Sequence, residues 1–306
     1  MDEVALSGHQ HGPRGRRSDV IPRSCLVVPG SDSRKMAKAL STAADEVVLD
    51  LEDAVAPAAK DEGRASVVDA LGSRHHKRLA VRINQIGTPW CHRDVLGVVS
   101  AAPSRGVTLV VPKVQSVADV GFVDRLVRGV LAQHPARAPE VRLDVLVESA
   151  AALRDLHAIV AASELVRAVV VGYADLGADL GRDAAGDPAL WDAVRHQVVA
   201  AARAAGRAVI DGPWLGTAAD AAFTRDRERA RALGFDGTWV IHPDQVSEAT
   251  RVFTPLAEEV AWAQRVVTTL EASVAGGAGA VALDGQMLDE AVAVRARSVL
   301  ARAESR

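Results

Sequence analysis

The chain has 306 residues, 49% of them apolar and only 3% aromatic, and a formal net charge of −3. That length buries one large core or two small ones, and the composition excludes a disordered chain. The near-neutral charge gives no reason to expect nucleic acid or an anionic membrane, two cysteines (Cys25 and Cys91) make no disulfide scaffold, and no apolar run approaches the ~20 residues needed to cross a bilayer.

Residues 1–20 hold Gly, Pro, His and Arg14, Arg16 and Arg17 with no apolar signal core after them. They read as a flexible tail on a cytoplasmic protein. Residues 25–28 form a short apolar run closed by Pro29-Gly30, a strand and a loop. Ser31 or Asp32 can cap a helix to about Thr42. A strand over 46–53 ends in three acids, Asp50, Glu52 and Asp53. Pro57 opens a helix to about Leu71. A strand over 78–84 and a helix over 90–101 follow, then a strand over 107–113 and a helix over 117–131.

The next stretch organises the chain. Val141-Arg142-Leu143-Asp144-Val145-Leu146-Val147 runs into Glu148-Ser149, and Val166-Arg167-Ala168-Val169-Val170-Val171 runs on through Gly172-Tyr173-Ala174 into Asp175. A helix over 150–163 joins the two runs as one βαβ unit, whose parallel strands usually lie side by side. Glu148 and Asp175 are thereby placed on one rim. Two hard oxygen ligands with no nearby Cys or paired His suit Mg²⁺ held partly by water and substrate.

A loop with Gly177, Gly181 and Gly186 follows. Asp187-Pro188 then starts a helix to Ala205. A strand over 207–212, a helix over 217–233 and a strand over 237–243 complete eight strand-then-helix units, which point to a (β/α)8 TIM barrel. A doubly wound open sheet is the alternative. The chain after about Asp244 exceeds what a barrel needs and reads as an added helical arm. It holds a helix over 254–272, a flexible Ala/Gly segment, a strand-like piece over 281–283 and a helix over 290–303. The domain reading is a tail at 1–20, a barrel at 21–253 and a C-terminal helical extension at 254–306.

Barrel sites form where strands end. The strand ends here supply Glu52, Asp53, Arg82, Asn84, Lys113, Glu148, Asp175, Asp211 and His242. Arg82, between Val81 and Ile83, needs an anionic partner if buried. It either pairs with Glu52 or Asp53 or binds a carboxylate, or does both. At least one of Asp50, Glu52 and Asp53 orients Arg82, Lys113 or a metal-bound water. Lys113 reads as part of that charge network, and His242 as a hydrogen-bonded strand-end residue. Other signals are weak. Gly276-Gly277-Ala278-Gly279 lacks the Lys-Ser/Thr of a P-loop and reads as a hinge. Arg225, Arg227, Arg229 and Arg231 read as a solvated helix face.

Taken in order, several motifs make the chain resemble the citrate lyase β-subunit family, which includes malyl-CoA and citramalyl-CoA lyases of the HpcH/HpaI aldolase superfamily. They are Val28-Pro29-Gly30-Ser31, Leu49-Asp50-Leu51-Glu52-Asp53-Ala54-Val55-Ala56-Pro57, Val81-Arg82-Ile83-Asn84, Val111-Pro112-Lys113-Val114, Glu148-Ser149, Gly172-Tyr173-Ala174-Asp175-Leu176, Gly234-Phe235-Asp236-Gly237 and Ile241-His242-Pro243. The resemblance implies a (β/α)8 barrel, assembled as a homotrimer or hexamer, with Mg²⁺ on Glu148 and Asp175. It places the substrate-binding arginine on Arg82 and the CoA-contacting lysine on Lys38. Family members often carry an arginine where this chain has Asp32, and Arg34 is the candidate replacement. The C-terminal arm would contribute Asp289 to a neighbouring subunit. The implied reaction is reversible cleavage of a 3-hydroxy-3-carboxyacyl-CoA into a 2-oxo acid and an acyl-CoA, with Asp289 as acid or base. The alternatives are a CoA-independent, metal-dependent 2-oxo acid aldolase and a non-catalytic subunit of a lyase complex.

Overall fold

The computed structural model describes residues 21–304 except 74, 134 and 278. The tail at 1–20, and Ala278 of the glycine segment, lie outside the described residues. Eight parallel strands close a barrel: β1 (Ser24–Pro29), β2 (Glu46–Asp50), β3 (Arg78–Arg82), β4 (Val107–Val111), β5 (Val141–Val147), β6 (Val166–Val171), β7 (Ala208–Asp211) and β8 (Gly237–Val240), with β8 pairing back to β1. Between them run α1 (Ser33–Leu40), α2 (Lys60–Gly72), α3 (Cys91–Ala101), α4 (Val117–Leu131), the pair α5 (Ala150–Arg154) and α6 (Leu156–Val160), α7 (Tyr173–Leu180), α8 (Asp192–Ala204) and α9 (Ala221–Leu233).

The strands are continuous apolar runs because both faces are covered. One set of alternate residues, including Val47, Leu49, Leu79, Val81, Leu109 and Val145, packs outward under the helices. The other, including Val48, Ala80, Val110, Leu146, Val170, Ile210 and Trp239, fills the barrel. This period of two also places the site. Asp50, Arg82 and Glu148 lie two residues beyond Val48, Ala80 and Leu146, so they continue the inward set to the rim.

Several boundaries differ from the sequence reading, and for one reason. A polar residue after an apolar run can end a strand or begin a turn. β2 stops at Asp50, leaving Glu52 and Asp53 in the turn beyond it. β6 stops at Val171, so Asp175 lies in the first turn of α7, in a segment that composition had suggested was loop. Gly181 ends α7 at φ 65°, the left-handed conformation glycine adopts without penalty. The joining helix over 150–163 is two short helices. A helix not expected from the sequence, α10 (Asp244–Phe253), buries Val246, Ala249, Val252 and Phe253 in the barrel's outer core. It closes the barrel rather than beginning an arm.

Beyond it, α11 (Ala257–Ala275) and α12 (Glu290–Glu304) pack together through Ala263, Val266, Ala296 and Val299. Between them is a small hairpin of β9 (Val281–Leu283) and β10 (Gln286–Leu288). Asp284 and Gly285 make its turn, both at positive φ, as a primed hairpin turn requires. No helix among the described residues is long and apolar enough to cross a membrane.

The end of the barrel opposite the rim is closed by charge. Arg167, with a side chain 6% exposed, donates to both oxygens of Glu46 (2.8 and 2.9 Å) and to Asp144 (2.9 and 2.6 Å). Arg167→Leu would strand two buried carboxylates. We expect a loss of about 3–5 kcal/mol in urea unfolding. A loss below about 1 kcal/mol would mean that these acids are held by something else.

Candidate active site

Asp50 and Arg82 are direct partners across β2 and β3. Arg82 forks onto Asp50, Nε to Oδ1 at 2.7 Å and Nη2 to Oδ2 at 2.6 Å. Asp50 is fully buried and also accepts the backbone N–H groups of Glu52 (2.8 Å) and Ala54 (3.1 Å). It therefore orients the guanidinium and shapes the turn that carries the next two acids. The sequence reading named Asp50, Glu52 and Asp53 together for that part, with Glu52 or Asp53 as the pairing acid. Asp50 takes the fork, and Glu52 and Asp53 pair with the remaining nitrogen, Nη1, at 2.9 and 3.8 Å.

Lys60, not singled out from the sequence, pins the same turn. Its buried ammonium donates to the carbonyls of Leu51 (2.8 Å) and Glu52 (2.7 Å) and lies 5.6 Å from the Trp90 ring centroid. Burial lowers its pKa, against the pull of Asp50 and Glu52.

On the facing side of the rim, Lys113 links Glu148 to Asp175. Its backbone N–H donates to Glu148 Oε1 at 2.6 Å and its Nζ to Asp175 Oδ1 at 2.9 Å. Nζ also lies 3.8 Å from both Glu52 and Asp53. Glu148 leans over Gly172, where a Cβ would fall 2.6 Å from Oε2, so only glycine leaves the carboxylate its place.

The carboxyls crowd one another. Burial is the main cause that pushes Glu148 up to about 8, with the charges of Glu52 and Asp175 adding to it. Burial likewise pushes Glu52 up to about 7, against the pull of Arg82. Neither Glu52 oxygen accepts a hydrogen bond from the described residues, since the Arg82 contact lacks hydrogen-bond geometry. Five carboxyls (Asp50, Glu52, Asp53, Glu148 and Asp175) thus crowd around Arg82 and Lys113, with the Lys60 ammonium on the Leu51 and Glu52 carbonyls nearby. A divalent cation would relieve that excess. No group of three metal-ligating His, Cys, Asp or Glu residues gathers among the described residues. The donor set fits a hard cation taken by two carboxylates, with open positions for water and substrate.

Behind Asp175 lies a buried network that the sequence reading did not find. Tyr173 Oη donates to Asp211 at 2.5 Å and accepts from Arg195 Nε at 2.7 Å. Arg195 grips Asp226 with both terminal nitrogens, at 2.9 and 3.0 Å. Arg227 bonds the Gly212 carbonyl at 2.8 Å and Asp226. Arg227 is 1% exposed, which corrects its assignment to a solvated face. Its spacing from Phe223 and Ala230 was the available signal, since all three share one helical face. Asp211 is therefore a partner of Tyr173 and Arg195 rather than a free rim acid.

The remaining candidates lie outside this cluster. Asp32, where an arginine was looked for, caps α1 by accepting from the Lys35 N–H at 2.9 Å. Arg34 and Lys38 are exposed one turn apart on α1 and take no part in the cluster's ion pairs. His242 accepts from the Asp244 N–H at 3.3 Å in the turn after β8. Asp289 caps α12, accepting from the Val292 N–H at 3.1 Å. The far end of α12 places Arg302 3.9 Å from Asp236, which precedes β8 at the end away from the rim. No hydrogen bond or ion pair among the described residues joins Asp289 to its own barrel's acids.

Fold and site together define a barrel enzyme with an acid-rich rim around one fixed arginine. Residues 23–243 match the HpcH/HpaI aldolase/citrate lyase family. An L-malyl-CoA/β-methylmalyl-CoA lyase of Cereibacter sphaeroides is 35% identical, the match covering 92% of this chain and 95% of that one. A (3S)-malyl-CoA thioesterase of the same species is 32% identical, over 92% and 95%. The crystal structure of CitE from Mycobacterium tuberculosis, in complex with magnesium, acetoacetate and coenzyme A, superposes with a TM-score of 0.71 at 30% identity, over 92% of this chain and 97% of that one. The chain belongs to the HpcH/HpaI aldolase/citrate lyase family, and it is a carbon–carbon lyase.

The Tyr173 hydroxyl makes two buried hydrogen bonds, so Tyr173→Phe leaves Asp211 and Arg195 each short of a partner. The expected cost is about 1–3 kcal/mol in denaturant unfolding. An unchanged midpoint would show that the network closes around the loss.

Proposed function

We propose that the protein is an Mg²⁺-dependent lyase that cleaves, or in reverse forms, a 3-hydroxy-3-carboxyacyl-CoA of the malyl-, citramalyl- or citryl-CoA type. The observation that carries this reading is the rim itself: Arg82 locked by Asp50 opposite Glu148 and Asp175, which Lys113 links. The lyase relative and the CitE complex with magnesium and coenzyme A support the chemistry.

Glu148 and Asp175 would hold the Mg²⁺, which polarises the substrate's hydroxyl and carboxylate oxygens when bound. Arg82 has two nitrogens committed to Asp50, and its fixed plane offers positive charge to the carboxylate and to the enolate oxygen. In cleavage the hydroxyl proton leaves to a base and the carbon–carbon bond breaks. The hydroxyl carbon becomes the carbonyl of the 2-oxo acid. The electron pair becomes the thioester enolate, which is protonated at carbon to give the acyl-CoA.

Asp289 of a neighbouring subunit is the proposed acid or base, which requires a homo-oligomer, and the proposed assembly is a homotrimer or hexamer. The exposed apolar side chains Met287 (71%) and Val294 (60%) flank it on residues 254–306, as a surface that meets another copy would. Arg34 and Lys38 would meet the phosphates of CoA from the exposed face of α1. Glu52 and Asp53 would orient Arg82 and Lys113. Two buried free thiols, Cys25 and Cys91, support a cytoplasmic location.

Glu148→Gln and Asp175→Asn should each lower Mg²⁺-dependent cleavage at least ~1000-fold while the circular dichroism spectrum stays that of the wild type. Arg82→Lys should lose on the order of 100-fold, because an ammonium cannot serve Asp50 and the substrate together. The assay incubates purified protein with Mg²⁺ and malyl-, citramalyl- or citryl-CoA and identifies both products. A 2-oxo acid with an acyl-CoA supports the lyase. Free CoA with the intact hydroxy acid would mean thioester hydrolysis. Near-normal turnover in both carboxylate variants would overturn the metal assignment.

A further inference from the structure

Lys113 touches both proposed metal ligands, and it does so with different parts of itself. The main-chain N–H holds Glu148 at 2.6 Å, while the ammonium holds Asp175 at 2.9 Å. A φ of 51° makes this reach possible. That left-handed conformation costs a residue with a side chain energy that the surrounding contacts must offset. The two contacts are separable, since a substitution removes the ammonium and leaves the N–H.

An Asp175 carboxylate in contact with an ammonium through Oδ1 has part of its charge already offset, so a second cation meets a repelling neighbour. Glu52, close by, shows the opposite condition. It is 4% exposed, both its carboxylate oxygens lack a hydrogen bond, and it lies 3.8 Å from Lys113 Nζ. Asp53 stands at the same 3.8 Å. A short swing of the flexible lysine stem takes the ammonium from Asp175 to these acids.

We propose that the Lys113 ammonium is a resident counter-ion of the metal site: a divalent cation displaces it from Asp175, and Glu52 and Asp53 receive it. This rests on the assignment of Glu148 and Asp175 as ligands. Lys113 competes with the metal and so sets its affinity, and it keeps the crowded acids compatible with a folded rim when metal is scarce. It acts by position, not as a group that handles the substrate's proton.

The test is isothermal titration of Mg²⁺ into the full-length protein, metal-stripped with EDTA beforehand, beside thermal unfolding with and without Mg²⁺. For charges a few ångströms apart near a protein surface, the expected result is that Lys113→Met binds Mg²⁺ roughly tenfold or more tightly than the wild type. The EDTA-treated variant should unfold at a lower temperature than the wild type, and Mg²⁺ should raise its Tm by more. Lys113→Arg keeps the charge and should stay within about threefold of the wild-type affinity. Lys113→Gln takes the place of the Met variant if that one does not fold.

Unchanged or weaker Mg²⁺ binding by the neutral variants, with Glu148→Gln inactive in binding, overturns the proposal alone. A wild type that binds no Mg²⁺, or a Glu148→Gln that binds it as well as the wild type, overturns the ligand assignment and the proposal together.

Discussion

The contact on which the rim depends is the buried fork of Arg82 on Asp50. A buried ion pair is a poor way to gain stability, because desolvating two charges offsets most of their attraction. An apolar pair at these inward positions would extend the barrel core at no such cost. What the ion pair provides is geometry. Asp50 takes two guanidinium nitrogens and two backbone N–H groups, so one carboxylate sets both the plane of Arg82 and the turn that carries Glu52 and Asp53. Trp239 below, 6.0 Å from the guanidinium, gives the cation an aromatic floor.

The same economy recurs around the barrel. Several rim residues are held in place by a neighbour's main-chain or buried contact. Lys60 holds the Glu52 carbonyl, and the Lys113 N–H holds Glu148. The Tyr173–Arg195–Asp226 network holds the start of α7, on which Asp175 rides. Gly172 contributes by having no side chain, since any Cβ there would meet Glu148. At the opposite mouth, Arg167 between Glu46 and Asp144 uses the same kind of pairing for closure. The barrel is thus apolar in its middle and ionic at both ends, and one end is left incompletely neutralised.

Much of this was legible in the sequence because strand period and strand-end position are properties of the chain itself. Strand-end position placed Arg82, Glu148 and Asp175 on one rim before any contact was known, and the structure adds that Asp50, Arg82 and Glu148 continue the inward set. The eight-unit spacing gave the barrel. Side-chain reach across elements was not legible. Arg227 sits among alternating charges, and only its register with Phe223 and Ala230 separates it from its exposed neighbours. Lys60 follows Pro57 by three residues in a helix start that looks solvated, and its partners are carbonyls, which carry no sequence mark. Helix α10 escaped notice because His242-Pro243-Asp244 reads equally as strand end or helix cap. Asp175 was assigned to the right rim but to the wrong element, since a strand running into a helix without a loop has no break to read.

The unbalanced charge at the rim constrains how any substrate is taken. A 3-hydroxy-3-carboxyacyl-CoA is an anion, and so are its 2-oxo acid products. The rim's carboxyls outnumber its cations, and even with Glu148 and Glu52 pushed up to about 8 and about 7 the rim offers an anion no net positive charge. Arg82 alone cannot make the rim positive, because Asp50 already pairs with its charge through Nε and Nη2. On the proposed reading the divalent cation makes the rim receptive to an anion, quite apart from any Lewis acidity, so metal must precede substrate. An aspartate arriving from a neighbouring subunit would add one more negative charge. On the proposed reading it would be tolerable only once the divalent cation has offset the rim's carboxylates.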